Sequence, residues 1–422
     1  MERNSRGAGL ARECRAGLAR ECRAGLAREC RAGFARECPN AQCSMLNAGA
    51  AARRVRWRAA AAAFSAAVLC LASTQAARAE PPGPVLPEMM DAKTVRCIDN
   101  GLNYLVKTQR ADGSWLNSGG YGTYPAAMTA LAGLSLMAGG STAETGPYSR
   151  NVTRAMNYLI RAAKSQNDGL IPGPGGENRS MHGHGFAMLF LAQCYGTELD
   201  RETGKDLRDV LDKAVAVTVA SQSDLGKETN NAGGWIYTPT TKGDEGSVTV
   251  TQLQALRACR NAGIKVPKST IDRAVAYLKF CQMPDGGICY SAQNRGQSRP
   301  AISAAAIACF YAAGVYDRQT GGTGAEAEMV EKLVNYVRGQ VGTESSSWGG
   351  HYFYTHLYLA QAWYQRGGKD WTEHYPRIRE RLMKMQSPDG SWNGDNVGTT
   401  YGTAIATVIL QLPYNYLPIY QK

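Results

Sequence analysis

Histidine is scarce in this chain. There are five in 422 residues, at His182, His184, His351, His356 and His374. Their close spacings, two and five, are not the i, i+4 pair with which one helix face holds a metal. Cysteine offers no C-x-x-C pair either, the short spelling that metal sites commonly use. Basic residues are lacking where they would matter most. After residue 79 the chain has 33 basic and 30 acidic residues, so no strongly basic surface remains to attract phosphates. Nucleic acid is therefore not an expected partner. Nor does the apolar run Ala59 to Ala72, near 14 residues, reach the ~20 that cross a bilayer.

The net charge of +12 belongs mainly to the leader, where residues 1–79 contain 14 Arg, no Lys and 5 Glu. Residues 1–44 include an octad array, "RAGLAREC" twice and then "RAGFAREC", with Cys14, Cys22, Cys30 and Cys38 eight apart. Translated repetitive DNA fits such a repeat better than a metal tract without histidine. Residues 45–79 have the parts of a signal peptide. Arg53, Arg54, Arg56 and Arg58 precede the apolar run, and Ala77-Arg78-Ala79 is an A-x-A cleavage signal. Export with cleavage near Ala79 is expected, with Met45 as a candidate initiator. Six cysteines follow Ala79, an even number that permits disulfides. Cys194, Cys259 and Cys309 sit in Ala/Leu-rich runs, where a small buried thiol is the simpler reading.

From residue 80 onward the chain repeats itself. An apolar run ending in Gln, then a Gly-rich loop, then a second apolar run recurs at Gln109, Gln166, Gln222, Gln282, Gln340 and Gln386. The first run of each unit has helical periodicity; in "VRCIDNGLNYLVKTQ", Val95, Ile98, Leu102, Leu105 and Val106 form one stripe. The second runs, such as "YPAAMTALAGLSLMAGG" and "RPAISAAAIACFYAAG", are apolar all round and belong in an interior. Most end at a glycine (Gly139, Gly196, Gly263, Gly314, Gly367), the residue that ends helices cheaply. Six wet-sided helices around six buried ones are expected, as one all-α toroid over residues 80–422. A straight solenoid is the alternative; the small residues of the second helices favour closure. The tail "PYNYLPIYQK" should pack across the barrel near the first repeat.

Two loops spell the motif almost identically, "QRADGSW" and "QSPDGSW", and "QMPDGGI" and "QNDGLI" match in part. This pattern resembles the QW motif of squalene and oxidosqualene cyclases, and the architecture is similar to that of the prenyltransferase and squalene cyclase-like repeat family. The resemblance covers roughly Val95 to Tyr420. It implies an α/α toroid that binds an isoprenoid or similar apolar molecule. The Gln and Trp themselves are read as braces, since an amide can bond backbone groups left open at helix ends.

The resemblance also implies where chemistry would lie. Type II cyclases protonate an alkene with D-x-D-D, and no stretch here spells it. If Ser247 takes the position after the cluster, Gly243, Asp244, Glu245 and Gly246 fill its places, which makes Asp244 and Glu245 the candidate catalytic pair. Prenyltransferases hold zinc with Asp, Cys and His. Arg299 and Ala301 stand where the Asp and Cys should be, and Thr355 where the His should be, so no metal or other cofactor is expected. Asp285 and Cys289 lie close by, but Asp285 is the loop residue of its repeat. His182, His184, His351 and Tyr401 stand in loops or first turns leading into second helices and are the candidate ligand-binding residues. Helix N-termini there would favour an anionic headgroup such as a diphosphate. Two other readings remain open: a non-catalytic scaffold toroid and a secreted glycan-active enzyme.

Overall fold

A computed structural model describes residues 86–421, apart from 121, 167, 172–176, 199, 225–231, 341 and 343–350. The octad array, the expected signal peptide with Met45 and Ala79, Tyr121, Trp348 and the side chain of Gln166 lie outside the described residues.

Among the described residues twelve α-helices follow one another as outer and inner partners. The outer set is α1 (Ala92–Thr108), α3 (Ser149–Gln166), α5 (Arg201–Ser221), α7 (Lys268–Phe280), α9 (Gly324–Gln340) and α11 (Gly368–Met385). The inner set is α2 (Pro125–Ala138), α4 (Ser180–Cys194), α6 (Gly246–Asn261), α8 (Pro300–Ala313), α10 (Tyr352–Arg366) and α12 (Thr399–Gln411). Among the described residues there are isolated β-bridges but no strand. Hydropathy explains the division. Every residue of α2 is buried, whereas α1 buries Ile98, Leu102 and Leu105 and leaves its far side wet.

The ring closes. Each inner helix packs on the next, and α12 packs on α2 and α1. Across that seam Gln386 Nε2 donates to Cys97 O at 2.9 Å, Gln411 Nε2 to Ser135 O at 3.0 Å, and Tyr104 Oη to Thr399 Oγ1 at 2.6 Å.

Four of the six glutamines, Gln109, Gln222, Gln282 and Gln386, act as the expected braces. Gln109 Nε2 donates to Gly113 O in its own loop and to Asn151 O in the next outer helix. Gln222 does the same with Gly233 and Thr270, Gln282 with Gly286 and Met329, and Gln386 with Gly390 and Cys97. Each amide thus ties one repeat to its successor, and the last to the first. Trp115, Trp235 and Trp392 are fully buried, and each indole N–H donates to a carbonyl near the end of its own outer helix.

The loop glycines have a second reason to be glycine. Gly390 has φ +90°, and a Cβ there would stand 2.5 Å from Asn100 O on the neighbouring outer helix. Gly113 and Gly286 meet the next helix in the same way. One expected helix end shifts: Gly139 keeps φ −87°, and Gly140 takes the left-handed conformation.

The tail seals the barrel at the C-terminal end of the inner helices. Tyr416 lies against Gly140 of the first repeat, as expected. The 3-10 turn Pro418–Tyr420 then goes further and packs on α6 and α10, the third and fifth repeats.

Candidate functional site

The other end of the barrel gathers the loops that lead into the inner helices. These loops are stitched by backbone bonds: Gly119 N to Val397 O at 2.8 Å, Met181 N to Tyr237 O at 3.1 Å, and Gly246 N to Tyr290 O at 2.9 Å.

Three carboxylates cap alternate inner helices at this mouth. Glu177 Oε1 accepts from Ala126 N of α2 at 2.8 Å. Glu245 accepts from Ser247 N at 3.0 Å and Val248 N at 2.8 Å in α6. Asp395 accepts from Phe353 N and Tyr354 N of α10, both at 3.1 Å. An acceptor at a helix N-terminus satisfies open N–H groups and neutralises the positive end of the dipole. The expected seat for an anionic headgroup is therefore already filled at α2, α6 and α10 by the protein's own carboxylates.

Burial treats these groups unequally. Glu177 is 6% exposed and its Oε2 has no hydrogen-bond partner among the described residues. Burial pushes its carboxyl up to about 8, against the opposing effect of the Ala126 and Ala127 N–H groups. Burial also raises Asp395, partly offset by the N–H groups it accepts from. Neither Glu177 nor Asp395 stood out in the sequence, although each precedes an inner helix by a few residues, as Glu245 does.

Asp244 and Glu245, the expected catalytic pair, part company. Asp244 turns away from the mouth toward the fourth repeat, where it accepts from Tyr277 Oη, Ala292 N and Gln293 N. Glu245, 2% exposed, accepts from Ser247 Oγ at 2.7 Å besides its two capping bonds. Burial and the nearby Glu245 carboxylate push the Tyr290 phenol up, and the hydroxyls of Tyr237 and Tyr290 share a hydrogen bond. Both carboxylates spend their lone pairs on holding loops and a helix start.

The candidate ligand-binding residues divide similarly. His184 lies between α4 and α5, wholly buried. Its Nδ1 accepts from Ile171 N at 3.1 Å, and its Nε2 meets Thr218 Oγ1 at 3.1 Å and Ala214 O at 3.2 Å. Burial lowers it to about 4, so it stays neutral. With both nitrogens occupied, it braces two helices rather than facing the mouth. His182 does face the mouth, its ring 6.0 Å from Tyr237, over which Arg179 lies at 4.3 Å. Burial lowers the His182 imidazole, and the Glu245 carboxylate opposes that shift. His351 is exposed at the start of α10. Tyr401 is half-buried in the first turn of α12, where burial, aided by Asp395, pushes its phenol well up. Glu245, His182, His351 and Tyr401 thus share the mouth, together with Tyr237, Tyr290 and Tyr354.

The mouth is shallow. One turn below Tyr354, Tyr358 of α10 lies beside Thr251 of α6 across the barrel, both buried. Another turn down, Gln361 Nε2 donates to Gln254 Oε1 at 3.3 Å and to Ile419 O of the tail at 3.5 Å. Thr251, Gln254, Tyr358 and Gln361 are each at most 3% exposed, so no water-sized space adjoins them. Beside the mouth, at the seam between the first and last repeats, an open cleft of about 650 Å³ is lined by Ser118, Gly119, Asn396 and Thr399. Among the described residues no three His, Cys, Asp or Glu side chains gather as a metal site.

No family model and no curated protein matches the chain. Solved structures do. The GH76A α-1,6-mannanase from Salegentibacter sp. HEL1_6 aligns with a TM-score of 0.54 at 12% identity, over 75% of this chain and 98% of its own. An inactive variant of that enzyme, in complex with α-1,6-mannotetrose, gives 0.55 at 12% identity over the same shares, 75% and 98%. A variant of the type II terpene cyclase MstE from Scytonema, in complex with geranylgeranyl dihydroxybenzoate, gives 0.48 at 14% identity, over 78% and 98%. At such identity the likeness to the mannanase is one of fold, the α/α toroid.

Proposed function

We propose that this chain is an exported binding toroid whose mouth takes a neutral, hydroxyl-rich ligand, a carbohydrate segment. The observation that carries this reading is the filled axis below Tyr354. An isoprenoid needs a long apolar tunnel, and the Tyr358–Thr251 and Gln361–Gln254 pairs occupy that space. What is left open is a shallow dish with tyrosine faces and fixed acceptors. Tyr290 is 40% exposed and bonds Tyr237, against whose ring His182 and Arg179 lie. Tyrosine gives a flat apolar face with a polar tip, and carboxylates and phenols bond hydroxyls. A diphosphate is disfavoured because carboxyl oxygens of the protein already accept from the open N–H groups of three inner helices. Export rests on the residues 45–79, whose pattern is that of a signal peptide.

Hydrolysis is not part of the proposal. Cleaving a glycosidic bond takes two carboxyl groups, one on each side of it, and the hydrogen bonds of Asp244 and Glu245 already engage both. Glu245→Gln is expected to leave most ligand affinity while weakening the α6 cap by about 1 kcal/mol. An enzyme that used this acid would lose nearly all turnover with the fold intact.

Calorimetric titration with neutral oligosaccharides, α-1,6-mannotriose among them, tests the reading. Tyr290→Ala should weaken binding on the order of tenfold. Isoprenoid lipid found by mass spectrometry in the purified protein, with no response to any glycan, would return the site to the apolar-ligand class.

A further inference from the structure

The fourth repeat contains a feature that the binding site does not use. Cys281 ends α7, and Cys289 follows the Gly-rich loop. Between them the chain doubles back as a short antiparallel ladder. Gln282 pairs with Ile288, flanked by Met283 N to Gly287 O at 2.8 Å and Cys289 N to Cys281 O at 3.0 Å. Residues 281 and 289 therefore face each other, joined by one backbone bond, while Cys281 N stays with Tyr277 O at the end of α7. Paired positions of an antiparallel ladder lie ~4.5–5.5 Å apart at Cα, within the range of disulfides. The two side chains are close enough to perturb each other, Cys289 Sγ donates to Ser291 O at 3.3 Å, and both are fully buried.

The remaining cysteines of the described residues differ. Cys97, Cys194, Cys259 and Cys309 lie on helices, and burial raises every one of those thiols. Only Cys289 goes the other way, to about 7, lowered by the adjoining Cys281 thiol and by Arg295 against the effect of burial. Cys281 is pushed up by the adjoining Cys289 and by burial.

We propose that Cys281 and Cys289 form an intramolecular disulfide, a modification site that pins the loop carrying Tyr290 to the end of α7. The pairing is independent of the carbohydrate reading. The oxidant is a disulfide donor, either a protein disulfide or glutathione disulfide. Cys289 Sγ, as thiolate, attacks one donor sulfur and expels the other as a thiolate. Cys281, on losing its proton to solvent, attacks Cys289 Sγ and expels the donor's second sulfur. Two cysteine thiols lose two electrons and two protons, and the donor is reduced to two thiols. Access comes from local opening, since only two isolated bridges, Gln282 with Ile288 and Cys289 with Ser298, hold the loop among the described residues.

The test needs no variant. The full chain is incubated with glutathione disulfide, quenched in acid, denatured, alkylated and digested with trypsin. Both cysteines fall in one peptide, residues 280–295, ending at Arg295. The expected peptide has lost two hydrogens and takes up no alkyl group. Trypsin should also cut the folded, oxidised protein after Arg295 several-fold more slowly than the reduced form. A doubly alkylated peptide, a persistent glutathione adduct, or a link from either cysteine to another position overturns the pairing. Equal cleavage of the two forms overturns the pinning.

Discussion

Glu177→Gln is expected to gain stability relative to the wild-type chain as pH rises, by about 3–5 kcal/mol between about pH 5 and about pH 9. The cause is a proton. Burial raises the Glu177 carboxyl from 4.5 to about 8, so across that window the folded chain keeps a proton which the unfolded chain has lost. Stability linked to this group is full below 4.5 and drains as pH climbs through about 8. The slope is about 1.4 kcal/mol per pH unit. Glutamine has no proton to lose, and its carbonyl oxygen can still accept from Ala126 N. Urea unfolding of both chains at a series of pH values measures the gap. A gap that does not change with pH would mean that Glu177 is ionised in the fold, with a partner for Oε2.

The second large effect is expected at the seam where the ring closes. Trp392 is fully buried, donates to Leu382 O at 2.7 Å and accepts no solvent. Its ring covers Gly101 of the first repeat, where a Cβ would lie 2.8 Å from Trp392 Cζ3 and 2.6 Å from Thr407 Cγ2. Trp392→Ala should cost about 3–5 kcal/mol, a large share of the ~5–15 kcal/mol that holds a domain together. Gly101→Ala gives a sharper reading because the two architectures predict opposite signs. Alanine is the better helix former by roughly 0.5–1 kcal/mol, so in an open superhelix the change stabilises α1. In the closed ring the added methyl meets packed atoms and costs about 1–3 kcal/mol. Denaturant midpoints decide between them, and a more stable Gly101→Ala chain would argue for an open seam.

Much of the scaffold can be read along the chain because its causes are local. An outer helix shows its single apolar stripe within fifteen residues, and an inner helix shows the lack of any polar side. The Gln, the loop glycine and the Trp lie a few residues apart, close enough for their spacing to reveal a repeated hairpin. Gly101 could be seen as out of place in α1, but not why.

The reasons came from residues far apart in the sequence. Gln386 bonds Cys97 across 289 positions, and no local pattern states that the sixth repeat meets the first. The same holds for the site. Asp244 and Glu245 are neighbours in the chain, but backbone direction sends one carboxylate to the next repeat and the other to its own helix. His184 has the spelling of a mouth residue, yet its position on α4 aims it at α5. Glu177 and Asp395 went unnoticed because each caps a helix of another repeat, Glu177 from 51 residues away and Asp395 from about 42. Sequence alone determined which segments are helices, which of them are buried and how often the unit recurs, because hydrophobic periodicity and turn chemistry act over short range. Tertiary structure alone decided the closure, the filled axis and the partners of each carboxylate and thiol, because burial and hydrogen bonding are set by whatever the fold brings alongside.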